Sequence, residues 1–117
     1  MRKISGLVAP AGLAAGVLLM LSIGAAPARA DCYENIGCTD SDMMSVDDLE
    51  NLSCQNLWHV RNRIYDENGY CFATARGRHA FDNSDCSVHS QSKVKLSAVE
   101  RHNVNAILAA EAANGCN

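Results

Sequence analysis

Several signatures of chemistry are missing from this 117-residue chain. No Gly-x-Ser-x-Gly run is present to raise a nucleophile on a strand-to-helix turn. No Cys-x-x-Cys pair is present to form a redox thiol. Cys86-x-x-His89 has ligand-like spacing, but no second Cys/His pair completes a tetrahedral zinc set. The acidic run Ser45–Leu52, SVDDLENL, lacks the ligand spacing and the glycine of a calcium loop. Basic residues are also scarce. The chain holds 10 Lys and Arg against 13 Asp and Glu, for a net charge of −3, and an acidic surface repels phosphate backbones, so nucleic acid is excluded as a partner. No repeat or low-complexity segment is found. Together these absences leave no assigned reaction, no implied cofactor and no metal site.

What the chain does have begins with an export signal over residues 1–30. Arg2 and Lys3 open it, no charge follows from Ile4 to Ala28, and the densest apolar part runs from Leu13 to Ile23. Small residues at Ala28 and Ala30 then form an Ala-x-Ala cleavage site. The uncharged run is long enough to span a bilayer, but Pro10, Gly12, Gly16, Gly24 and Pro27 interrupt it, and cleavage after Ala30 is the expectation. Arg29-Ala30-Asp31 before Cys32 lacks the small and aliphatic residues of a lipoprotein site. Cleavage takes three basic and no acidic residues, leaving 87 residues of net charge −6 with no stable membrane span. The expected location is the bacterial periplasm or the medium.

All six cysteines, Cys32, Cys38, Cys54, Cys71, Cys86 and Cys116, lie in that mature part. An even count in a short exported chain implies bridges. A single domain of this size buries only roughly 60–65% of its unfolded surface, and its hydrophobic term leaves stability near zero once conformational entropy is subtracted. Disulfides are the expected remedy.

The predicted fold is all-α: a small, disulfide-stapled domain with two main helices and one or two short helical turns. Residues 31–52 read as an N-terminal arm closed by a local bridge, with Ser45 and Asp48 starting a turn or two of helix. Residues 53–117 read as the helical domain. Ser53 caps the first long helix, Leu57, Val60 and Ile64 form its apolar face, and Gly69 suits the left-handed residue past its end. Thr74 to Phe81 is a candidate short helix with Ala80 and Phe81 inward, weakened by Gly77. Residues 87–95 read as a loop or one brief extended stretch. Ser97-x-x-Glu100 is a capping box opening a helix to about Asn114, with Val104, Ile107, Leu108 and Ala112 as its buried stripe.

If the first and last helices pack antiparallel, Cys54 at the start of one meets Cys116 past the end of the other. Cys71–Cys86 and Cys32–Cys38 remain. Six cysteines allow fifteen pairings; helix geometry favours this one.

The stretch Leu57 to Phe72, LWHVRNRIYDENGYCF, resembles the YARHG-domain family of small exported bacterial domains, known mainly as a sequence pattern. The family run reads roughly Leu-Trp-x-x-Arg-Asn-x-Ile-Tyr-Ala-Arg-His-Gly-Tyr-x-Phe. Leu57, Trp58, Arg61, Asn62, Ile64, Tyr65, Gly69, Tyr70 and Phe72 match it. The order continues with Phe81 and with Leu96, Ser97, Glu100, Asn103 and Ile107, so the resemblance covers about Leu52 to Glu111. The Ala-Arg-His that names the family is replaced by Asp66-Glu67-Asn68. The four cysteines from Cys54 onward resemble those of disulfide-bearing relatives. The resemblance implies a small helical exported domain and supplies no reaction.

Among candidate contacts, Arg61 and Asn62 read as structural residues at a helix end, with Arg61 spaced to reach Tyr65 or Trp58. Arg61 also has the fork to bind a carboxylate-bearing ligand. Arg76, Arg78 and His79 form a basic knot in an acidic protein, suited either to an anionic envelope group or to a solvated loop. His59, His79, His89 and His102 read as surface histidines. The clustered aromatics Trp58, Tyr65, Tyr70, Phe72 and Phe81 read as core. The leading function is a non-enzymatic exported domain that binds or supports a cell-envelope component. Alternatives are a small secreted hydrolase or enzyme inhibitor using exposed charges, and a lipid-interacting helical module. The cysteine spacing and the alanine-rich closing helix count against a saposin-like version of the last.

Overall fold

The computed structural model describes residues 31–117; the export signal expected over residues 1–30 lies outside the described residues. In chain order the elements are β1 (Cys32–Tyr33), β2 (Gly37–Cys38), α1 (Val46–Leu49), α2 (Cys54–Glu67), α3 (Ala75–Ala80), a 3-10 turn (Gln91–Lys93) and α4 (Ala98–Ala113). About half of the described residues are helical, most of them in α2 and α4. Among the described residues no helix is long and apolar enough to cross a membrane.

The domain is not purely all-α, because the N-terminal arm contains a small antiparallel hairpin. Cys32 lies opposite Cys38 and Tyr33 opposite Gly37. This polar segment has no helical period to bury. Its chain reverses through Asn35 at φ 75° and Gly37 at φ 101°, left-handed conformations that favour Asn and Gly. A Cβ at Gly37 would also lie 2.8 Å from the Asp42 Cβ. The reversal sets the two cysteines across from each other, where they form a disulfide.

Hydroxyl caps start the helices. Ser53 Oγ accepts from Asn56 N at 3.1 Å, Thr74 Oγ1 from Gly77 N at 3.0 Å, and Ser97 Oγ from Glu100 N at 3.1 Å. Ser97 N in turn donates to Glu100 Oε1 at 2.8 Å, completing the capping box. Each cap satisfies a donor that the first turn leaves open.

Helices α2 and α4 pack antiparallel. Cys54 at the start of α2 is bonded to Cys116 past the end of α4. At the opposite end Asn68 Nδ2 donates to Glu100 Oε2 at 3.0 Å. Leu57, Val60 and Ile64 of α2 meet Val104, Ile107 and Ala110 of α4, and Ile36, Met44 and Leu49 from the arm and α1 close the cluster. The stripe on α4 differs from the one expected. Val104 and Ile107 are inside, but Leu108 is 47% exposed and Ala112 is exposed. The inward face instead takes Asn103, Ala106, Ala110 and the carboxylates of Glu100 and Glu111. Polar side chains occupy it because each has a partner inside, which removes most of the desolvation cost.

A second, aromatic layer lies beside this aliphatic core. The rings of Phe72 and Phe81 stack at 4.8 Å and 15°, and both are buried. Tyr70 meets Phe72 edge-on at 4.8 Å, and His59 stacks on Phe81 at 5.0 Å. Trp58, Tyr65 and Tyr70 are only half-buried. In α3 the inward residue is Gly77, with Ala80 exposed. A Cβ at Gly77 would lie 2.7 Å from Phe72 Cδ1, so the glycine lets α3 lie directly on the ring.

The corner after α2 is fixed several times over. Gly69 at φ 87° permits it, Ser87 N and Val88 N both donate to Gly69 O at 2.9 Å, and Cys71 N donates to Val88 O at 2.8 Å. Residues 87–95 thus supply one short pairing, Tyr70 with Val88, before the 3-10 turn. Cys71–Cys86 locks the same corner. The Asn83 amide then clamps the Phe72 backbone, accepting from its N at 3.0 Å and donating to its O at 2.9 Å.

Candidate functional site

Two places concentrate polar chemistry, on opposite ends of α2. The first is a ridge near its start. The Arg76 guanidinium lies over the Trp58 ring at 3.8 Å from its centroid, and its Nη2 donates to Gln55 Oε1 at 2.9 Å. An open hollow of about 400 Å³ lies on the side of this ridge facing Leu108 and Glu111. Another of about 410 Å³ lies on the side facing Ala75 and His79. Arg76 and His79 therefore share a face with Trp58. Arg78 turns elsewhere, its Nη1 donating to Ala73 O.

Arg61 borders the first hollow but is committed. Instead of reaching Tyr65 or Trp58 it grips Glu111 with both arms of its fork, Nε to Oε1 at 2.8 Å and Nη2 to Oε2 at 3.1 Å. The side chains are 20% and 12% exposed, so this bidentate pair ties α2 to α4. Asn62, buried, donates from Nδ2 to Trp58 O at 2.9 Å. His59 packs on Phe81, His102 Nε2 lies 3.1 Å from Met44 O, and His89 is exposed. Among the described residues no group of three or more His, Cys, Asp or Glu is placed to hold a metal ion.

The second place is an acidic hollow of about 410 Å³ at the end of α2, lined by Asp31, Asp66, Glu67, Asp82 and Asp85 around Arg63. Arg63 Nε contacts Asp31 Oδ2 at 2.5 Å and its Nη1 contacts Asp66 Oδ2 at 3.0 Å. The hydrogen bond to Asp31 holds the guanidinium above its usual range. Glu67 is the least accessible carboxylate of these ion pairs, its side chain 6% exposed. Oε1 accepts the Thr39 hydroxyl at 2.9 Å; Oε2 has no hydrogen-bond partner among the described residues. Burial pushes the Glu67 carboxyl up to about 7, against the opposing pull of the Thr39 hydroxyl and the Asp31 backbone N–H. Burial, then the Asp31 charge, pushes the Tyr33 phenol up to about 12. Asp66 is raised by burial, with Arg63 opposing.

The sequence reading did not single out Glu67, Arg63 or Thr39, because the 28-residue separation of Thr39 and Glu67 hides their contact. The one local signal was Asp66-Glu67-Asn68 standing where the family pattern has Ala-Arg-His. In the fold each replacement has its own partner: Asp66 meets Arg63, Glu67 meets Thr39, and Asn68 meets Glu100. Also unforeseen is a hollow of about 540 Å³ between the 3-10 turn and the start of α4, with Lys95 and Arg101 at its edge.

Two packed antiparallel helices, a pinned hairpin and three disulfides define a small disulfide-stapled helical domain. The family model described as the YARHG domain matches residues 36–112. The chain belongs to the YARHG-domain family. The matched region begins inside the hairpin arm, whose Ile36 and Met44 are part of the main core. No curated protein and no solved structure matches the chain.

Proposed function

We propose that this protein is exported, loses residues 1–30 by cleavage after Ala30, and acts in the cell envelope as a non-enzymatic module that binds an anionic group. Three disulfides accord with an oxidising compartment outside the cytoplasm. The mature portion divides into an arm, residues 31–52, and the helical domain, residues 53–117, with the contact face on the latter.

The observation that carries the reading is the Arg76–Trp58 stack. Arg61 and Arg63 are held in ion pairs. Arg76 is exposed, oriented by the ring beneath it, and uses one of its five N–H donors on Gln55. A guanidinium oriented in this way loses less freedom when it meets a carboxylate or phosphate than a free one does. His79 lines the hollow on the same face, and Arg78 adds positive charge nearby.

The test is retention of the purified mature domain on isolated envelope material, with Arg76→Ala and Arg78→Ala combined. Both residues are exposed and lose only surface contacts, the Arg76–Trp58 stack being worth about 0.5–1 kcal/mol at such a site, so the fold should persist with a small drop in melting temperature while retention falls severalfold. Retention equal to the parent's, with the fold intact, would refute this assignment of the binding face.

A further inference from the structure

We propose that the α-ammonium group created at Asp31 by signal cleavage is the missing partner of the buried Glu67 carboxylate, so that processing of the chain completes an ion pair inside the fold. This rests on the export reading above, and specifically on cleavage after Ala30.

The geometry carries it. Glu67 Oε2 is buried without a hydrogen-bond partner among the described residues, an arrangement that is costly unless something occupies the place. Arg63 does not supply it. Its Nε stands 3.9 Å from Oε2 and is taken by Asp31 Oδ2 at 2.5 Å. The Asp31 backbone N–H already favours the ionised form of the Glu67 carboxylate, and Asp31 and Glu67 line the same hollow. Asp31 is held in place by three further contacts. Its carbonyl accepts from Thr39 N at 3.0 Å, and its carboxylate accepts from Arg63 and, at 3.3 Å, from the Tyr33 hydroxyl.

While Asp31 is joined to Ala30, its nitrogen is a neutral amide with one donor. Cleavage turns it into an ammonium with three donors and a unit charge. Five carboxylates line the hollow against the single guanidinium of Arg63, so the field there favours an added cation. Hydrolysis of the Ala30–Asp31 bond consumes one water and leaves Ala30 with the new carboxylate and Asp31 with the amine. The amine takes up a proton from solvent.

The experiment starts from the full chain, exported from a bacterial host and purified. Intact mass first establishes that the protein begins at Asp31. The α-amino group is then titrated by NMR in this protein and in the Glu67→Gln variant made in the same way. An ordinary α-amino group titrates near 7.7–8.0. The expected result is a rise of about one unit or more in the parent and a return toward the ordinary range in E67Q. The Glu67 carboxyl should titrate lower in the parent than in protein acetylated at Asp31. A mass showing a different first residue would overturn the proposal through its processing step. A mass starting at Asp31 with an ordinary α-amino titration, unchanged by E67Q, would overturn the pairing itself and leave the export reading standing.

Discussion

Replacing Asn103 should detach the N-terminal arm from the rest of the domain. Asn103 sits on α4 with none of its surface exposed, and its amide is the main polar link between that helix and residues 39–44. Oδ1 accepts from Met44 N at 2.8 Å. Nδ2 donates to Thr39 O at 3.0 Å and to Asp42 O at 2.8 Å. In Asn103→Ala all three bonds are lost, but at unequal cost. Asp42 is exposed, so water can reach its carbonyl. Met44 and Thr39 are 2% and 0% exposed, so an N–H and a C=O are left buried and unpaired, at about 1–3 kcal/mol each. The vacated amide volume adds a smaller cavity term. The sum is about 3–5 kcal/mol, a large fraction of the roughly 5–15 kcal/mol that holds a typical domain folded. Asn103→Asp keeps the acceptor but sets a charge against two carbonyl oxygens, and should cost at least as much. The assay is urea denaturation with amide exchange read residue by residue. Met44 N–H should be protected in the parent and exchange through local opening in Asn103→Ala. A loss below about 1 kcal/mol, with Met44 still protected, would show that the apolar contacts of Ile36, Met44 and Leu49 hold the arm unaided and that the reasoning is wrong.

Other perturbations test the remaining joints. Removing Cys54–Cys116, which spans 62 residues, should cost roughly 4 kcal/mol on the chain-entropy account, and removing Cys71–Cys86, which spans 15, roughly 3; coincident melts of reduced and oxidised protein would contradict both. Gly77→Ala should destabilise by about 1–3 kcal/mol in thermal melts even though alanine favours helix by about 1 kcal/mol, because its Cβ would meet the Phe72 ring at 2.7 Å. With the Asp31 nitrogen held as an amide by acetylation, burial pushes the folded Glu67 carboxyl up to about 7, from an ordinary 4.5. The folded state then binds the extra proton between those values, so this contribution is present below about pH 4.5 and is lost as pH rises through 7, on the order of 2 kcal/mol. Denaturation midpoints measured from pH 5 to 7.5 should fall accordingly, and Glu67→Gln should flatten the slope.

What could be read from the sequence was what is local. Ser53, Thr74 and Ser97 announce helix starts because a cap acts within three residues, and Leu57, Val60 and Ile64 reveal a face because the helical period repeats along the chain. The cysteine positions became informative once the two long helices were set antiparallel. Three things were hidden. The hairpin depends on positive φ at Asn35 and Gly37, and two-residue strands carry no period. The inward face of α4 includes Asn103 and Glu111, and polarity there reads as exposure until the partners across the core are known. Gly77 looked like a defect in α3 and is instead the point of closest approach to Phe72. The acidic hollow was hidden for the same reason as α4: Asp31, Thr39 and Glu67 are brought together only by the fold.

The end of α2 shows why the arm and the long helices depend on each other. Asp66 and Glu67 fall in its last turn, where the helix dipole disfavours negative charge by roughly 0.3–1 kcal/mol for each group, and no basic residue lies in that turn. Taken alone, the helix should fray there. It is held because Arg63 reaches forward to Asp66, Thr39 comes from the hairpin to Glu67, and Asn68 joins the capping box of α4 through Glu100. Glu67, which weakens the helix locally, is thus a residue that attaches the arm to it, while the cap residue Asn68 attaches the start of α4. The hairpin gains a fixed seat by the same contacts, and Cys32–Cys38 restricts the freedom it must give up to take that seat. Beside its core anchors Ile36, Met44 and Leu49 and its bonds to Asn103, the arm of 22 residues gains order because Thr39 supplies a partner to the end of α2.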